Sequence, residues 1–266
     1  QLGDGGSNTN TNAPSSTAID LGTGRTAVAV SAGIEHTCAI LDNGDLTCWG
    51  RDYYGQLGNG VNPMDINAPS TTAIDLGTGR TAVAVSAGQG HTCAILDNGD
   101  MKCWGRDVHG QLGDGGSNTD TNAPSSTAID LGTGRTAVAV SAGQYHTCAI
   151  LDNGDMKCWG LDNYGQLGNG VSNTDINAPS TTAIDLGTGR TAVAVSAGLE
   201  HTCAILDNGD MKCWGRDNNG QLGDGGSNAA MFTPVSLSGS NTWNSSTGLS
   251  SGSGGGMTNV TNAMSC

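Results

Sequence analysis

The residues of this chain with most chemistry to offer are its nine cysteines and five histidines, and most of them stand in register. Cys38 and Cys48 recur as Cys93 and Cys103, Cys148 and Cys158, and Cys203 and Cys213, always ten positions apart. Two positions before each first cysteine is a histidine: His36, His91, His146 and His201. An imidazole beside a thiolate is a nucleophile with its base, and both are good zinc ligands. Neither chemistry suits the pattern. A catalytic site is one asymmetric constellation, whereas these residues exist in four near-identical settings. One histidine and two cysteines are also too few for a closed zinc site. Each cysteine pair is better read as a disulfide, whose sulfur is not a thiolate; reduced core cysteines and metal ligands are the alternatives. The imidazoles are expected to bond to backbone at the start of their strand.

Oxygen ligands are the second candidate set. Asp114, Asn118 and Asp120, in a loop that runs on to Asn122, alternate in the way hard cations such as calcium favour. Asp4, Asn8, Asn10 and Asn12 form a poorer version, and Asn173 with Asp175 a third. None has the EF-hand pattern or a glutamate clamp, and solvated turn loops explain the composition equally well. Asp42 and Asp45 sit at an exposed hairpin tip, which is no place for the buried carboxylate pair that acid–base work needs.

A 55-residue unit, present in four complete copies, must position these groups. Such a period signals an array or propeller. In the first copy a small-residue strand A is expected over 26–32, strand B over 36–41, strand C over 45–49 and strand D over 72–76. Four antiparallel strands per unit make a β-propeller blade, so the expected fold is all-β. If Asp42, Asn43 and Gly44 form a three-residue loop with Gly44 left-handed, Leu41 faces Asp45 and Cys38 faces Cys48. That pair falls on the closer, non-hydrogen-bonded kind, which suits a disulfide. A two-residue Asn-Gly turn would misalign the sulfurs. Trp49, Trp104, Trp159 and Trp214 are expected to pack between blades, and Gly-Gln-Leu-Gly to be a packing turn.

The frame His-Thr-Cys-Ala-Ile-Leu-x-x-Gly-x-x-x-Cys-Trp-Gly, followed by Gly-Gln-Leu-Gly, resembles the regulator of chromosome condensation (RCC1) repeat. It is most similar to the cysteine-bearing form in secreted and surface proteins of bacteria. The resemblance covers about residues 1–235 and implies a propeller, commonly seven-bladed. The family's nucleotide exchange and chromatin binding are not carried over. No exchange wedge is recognisable, and the formal net charge of −14 is wrong for chromatin.

The same charge disfavours anionic membranes, and no apolar run approaches the roughly 18 residues of a membrane span. Four cystines imply an oxidising compartment, hence an extracellular or cell-surface location. Differences between copies cluster at residues 34–35, 51–54 and 61–66 and their equivalents, all expected on one face. That face carries Tyr53, Tyr54, Tyr145, Tyr164 and His109, and tyrosine suits binding surfaces. Residues 236–266 read as a Gly/Ser-rich partial repeat or closing segment with an odd Cys266, while Asn244 and Asn259 open glycosylation sequons. Gln1 falls inside a repeat, so a processed product or part of a longer polypeptide is expected. These readings converge on a non-enzymatic extracellular scaffold, such as an adhesin or filament subunit. Its partners would be further copies of itself, another surface protein or a glycan, without nucleic acid or membrane insertion. The competing reading is a ligand-binding module on the tyrosine face, with possible calcium support.

Overall fold

A computed structural model describes residues 2–6, 11, 13–61, 64–171, 173–226 and 229–237. Among these there is no helix. The first unit contains β1 (Ala27–Ala32), β2 (His36–Leu41) and β3 (Leu46–Gly50), and the second β4 (Ala82–Ala87), β5 (His91–Leu96) and β6 (Met101–Gly105). The third has β7 (Ala137–Ala142), β8 (His146–Leu151) and β9 (Met156–Gly160). The fourth has β10 (Ala192–Ala197), β11 (His201–Leu206), β12 (Met211–Gly215) and β13 (Met231–Ser236). Each unit is one antiparallel sheet in sequence order, with three strands in the first three and four in the last.

The hairpin turns as its sequence dictates. Gly44 has φ of 81°, its N–H donates to the Leu41 carbonyl, and Leu41 N–H donates to Asp45. The count along the ladder then places Cys38 opposite Cys48, with Cα atoms 4.0 Å apart and the sulfurs bonded. Cys93–Cys103, Cys148–Cys158 and Cys203–Cys213 repeat the arrangement.

The expected strand D over 72–76 is not a strand. Its segment touches the sheet through three backbone bonds, two exchanged by Gly50 and Ile66 and one donated by Ile74 N–H to the Leu46 carbonyl. Local chemistry competes with the ladder. Pro69 lacks an N–H, Ser70 Oγ takes Thr72 N–H at 3.1 Å, and Asp75 Oδ1 takes Gly77 N–H at 2.8 Å. In the fourth unit that Ser and Asp punctuation is absent, and 231–236 pairs with β12 through a register shift.

The core lies between sheets rather than within them. Cys38, Ile40 and Leu46 on one sheet meet Ala82, Val85, Leu96 and Trp104 on the next. Two further clusters of the same make-up join the second sheet to the third and the third to the fourth. The Gly-Gln-Leu-Gly turn seals each junction: a Cβ on Gly58 would run into the Trp104 indole. Among the described residues no further sheet covers the two outer faces of the series, although Gly3 meets the Trp49 indole on the first as Gly58 meets Trp104. Val30 is 57% exposed where Val85 is 0%. Ile205 and Met211 are 40% and 38% exposed where Ile95 and Met101 are 2% and 0%.

Candidate functional site

The repeated polar residues bind the sheets to one another. Trp104 Nε1–H and the Thr92 hydroxyl both donate to the Gln56 carbonyl, at 3.0 and 2.8 Å. With its proton committed there, Thr92 Oγ1 must accept from His36 Nε2–H, 2.8 Å away. The same relay links His91 to Thr147 and His146 to Thr202. The histidines therefore bond to a threonine of the following sheet, not to local backbone as expected. The imidazole crosses the junction because Gly33 leaves the room: a Cβ there would lie 2.9 Å from His36 Cε1. Burial lowers His36 to a pKa of about 4 and His91 and His146 to about 3, so all three are neutral, with Nδ1 buried and unpartnered.

A second polar frame lies beneath the loops. Asp52, Asp107, Asp162 and Asp217 are buried, and each Oδ1 accepts the N–H five residues on, at Leu57, Leu112, Leu167 and Leu222. Burial raises Asp107 and Asp162 to about 6, with neighbouring carboxylates adding to the effect. Sequence reading missed these residues, although their fixed spacing from Gly-Gln-Leu-Gly was the available signal.

The tyrosine face is a continuous ladder that crosses sheet boundaries. Tyr53 meets Tyr54 edge-on with centroids 4.8 Å apart. The Arg106 guanidinium then lies between Tyr54 and Tyr145, its carbon 4.5 and 4.7 Å from the two ring centroids. Arg106 Nη1–H donates to the Tyr145 hydroxyl at 3.0 Å. His109 packs on Tyr145 at 5.2 Å and pairs through Nδ1 with Asp175 Oδ2 at 2.8 Å. Four of the five expected face residues are thus brought together. Tyr164 stands apart under Arg216, at 5.2 Å.

The arginines were not foreseen, and the copies differ instructively around them. The position of Arg51 holds Arg106, Leu161 and Arg216 in turn, while that of Glu35 holds Gly90, Tyr145 and Glu200. Arg51 carries Glu35 at 2.7 and 2.6 Å, and Arg216 pairs with Glu200. Among the described residues Arg106 pairs with no carboxylate. Tyr54 lies over the vacated position, where a Cβ on Gly90 would come 2.9 Å from its Cδ2.

The oxygen-rich loops are engaged locally. Asp114 Oδ1 accepts Gly116 N–H at 2.7 Å, and Asp120 Oδ1 accepts Asp107 N–H at 2.8 Å. Asn118 sits at φ 53°, and among the described residues no group of three acidic, histidine or cysteine side chains is placed to hold a metal. Asn8, Asn10, Asn12, Asn244, Asn259, Cys266 and the rest of 238–266 lie outside the described residues.

Comparison with known proteins yields two family models, both described as the regulator of chromosome condensation (RCC1) repeat. One matches residues 43–95, 98–150 and 153–205, the other 27–56, 82–111, 137–166 and 192–221. The ultraviolet-B receptor UVR8 of Arabidopsis thaliana is 34% identical over 203 residues, 76% of this chain and 44% of the receptor. The E3 ubiquitin-protein ligase HERC2 of Homo sapiens is 30% identical over 196 residues, 74% of this chain and 4% of the ligase. The chain thus spans less than half the length of both relatives. Yeast RCC1 in its complex with Kap60 superposes with a TM-score of 0.66 at 20% identity, over 80% of this chain and 50% of that one. Human WBSCR16 gives 0.56 at 20% identity, over 81% and 68%. Likeness at this identity speaks for the fold alone.

Proposed function

The chain belongs to the regulator of chromosome condensation (RCC1) repeat family, and on that premise we propose that it is a non-catalytic extracellular binding scaffold, an adhesin-type module. Its partner docks on the face that carries Tyr53, Tyr54, Arg106, His109 and Tyr145. One observation carries the reading: the copies share a fixed frame, and where they differ, side chains from three successive sheets join in one ladder. Tyrosine and arginine are the residues that binding surfaces favour, combining apolar area with polar tips at low entropy cost. The reactive groups of the frame support no catalysis. Its eight paired cysteines are bonded, and His36, His91 and His146 are buried and neutral. Four cystines in register favour an oxidising exterior. That yeast RCC1 is seen bound to Kap60 illustrates a propeller of this family holding a protein.

Binding of labelled chain to a panel of cell-surface glycans and proteins tests the reading. Tyr54→Ala with Tyr145→Ala is expected to weaken binding at least about tenfold, the scale of losing hot-spot residues. Asn98→Ala with Asn153→Ala, at the exposed hairpin tips on the opposite face, should leave it unchanged. Equal loss in both variants, or no binding to any member, would contradict the reading.

The two outer faces favour a second reading, a filament subunit. Val30 at one end and Ile205 with Met211 at the other are the two halves of a junction made three times inside the chain. A head-to-tail contact of this kind propagates or closes a ring. Particle images showing only single four-sheet bodies at high concentration would dispose of it.

A further inference from the structure

We propose that Arg106 anchors a site for a single carboxylate carried by a sugar at the end of a glycan. This rests on the binding-scaffold reading and names the ligand chemistry of that face.

The chain supplies its own comparison. Three copies place an arginine at this position, and in two of them the guanidinium already holds a carboxylate, Glu35 on Arg51 and Glu200 on Arg216. In the copy between, the acid is replaced by Gly90 and the arginine is kept. Arg106 is held instead by two tyrosines. Its guanidinium carbon lies 4.5 and 4.7 Å from the Tyr54 and Tyr145 ring centroids, and the Tyr145 hydroxyl takes one N–H. Much of the side-chain entropy that a ligand would otherwise have to freeze is already lost. A planar fork fixed in this way presents its remaining N–H edge to a planar acceptor, and the carboxylate is the acceptor it fits.

The surroundings favour a sugar. Tyr53, 66% exposed, stands edge-on to Tyr54 with the Arg51 guanidinium carbon 5.6 Å from its ring centroid, and offers exposed ring surface one residue from the clamp. A pyranose bearing a carboxylate can lay its C–H face on such a ring while its charge reaches the fork. The net charge of −14 repels polyanions at long range. A lone terminal acid is little affected, because salt screens charges beyond about 10 Å at 0.1 M.

The test uses variants the frame already tolerates. Arg106→Leu copies the residue found at Leu161, and Arg216→Leu removes an arginine whose charge Glu200 already meets and which stands apart from the ladder. Each is titrated with glycans ending in a sialic or uronic acid, with the methyl esters of the same glycans, and with an acidic peptide, after confirming unchanged melting temperature. The proposal expects about tenfold weaker binding of the ester, the scale of a charge-assisted hydrogen-bond pair. Arg106→Leu should show a similar loss, and Arg216→Leu should stay within about twofold. Esters that bind as tightly as acids would overturn it, as would preference for the peptide over the sugar. If Arg106→Leu abolishes binding of a neutral ligand, the scaffold reading stands and the carboxylate assignment falls. Failure of Tyr54→Ala with Tyr145→Ala to affect any ligand removes the face itself.

Discussion

His91 is buried and neutral, so acid acts against it. Its pKa is lowered to about 3 by burial, with His36 and His146 adding charge repulsion. A histidine depressed in the fold contributes stability that is complete above its unfolded value near 6.5 and is lost as pH falls toward the folded value. Each such histidine costs about 1.4 kcal/mol per pH unit over that window. Asp107 and Asp162 work in the opposite sense. Raised to about 6, they favour the fold most below the ordinary carboxylate value of 3.8, and that contribution is lost as pH rises through 6. The histidines outnumber them and are more strongly shifted, so stability should fall below pH 6. In His91→Gln, where an amide N–H can still reach Thr147, the loss between pH 7 and 4.5 should be smaller by about 2.5 kcal/mol. Urea unfolding at the two pH values measures it, and an unchanged loss would show that His91 does not titrate against the fold. At this scale the sequence was half legible. It marked the histidines as frame, but their partner lies 56 positions away in the next unit, and only packing of sheet on sheet brings Thr147 to His91.

At the scale of elements, legibility followed the range of the forces. The Asp-Asn-Gly loop is decided by one left-handed glycine, so register and cystine pairing could be counted from residues alone. Strand D could not. Its apolar alternation at Ile74 and Leu76 looked like a strand, but the Ser70 and Asp75 side chains take backbone N–H groups locally before a ladder can form. The face was readable as a region because variation concentrated there. Its ladder was not, since Arg106 joins Tyr54 of one copy to Tyr145 of another. A small signal did exist. The copy that lacks the arginine, at Leu161, is the copy that carries Tyr145.

At the scale of the whole molecule, four sheets share their interiors pairwise, and among the described strands the main contacts run between neighbours in the series. That is the organisation of a repeat array, stable by the sum of its junctions. The frame therefore tolerates variation in its loops, where the clamp around Arg106 is built. The proposed placement of this scaffold outside the cell depends on its cystines being formed in the protein as isolated. Intact mass before and after reduction, with thiol alkylation at each step, tests this most directly. Four cystines predict that the eight frame cysteines resist alkylation until reduced and then gain eight hydrogens together. Eight frame thiols open to alkylation in the unreduced, unfolded protein would contradict the extracellular scaffold.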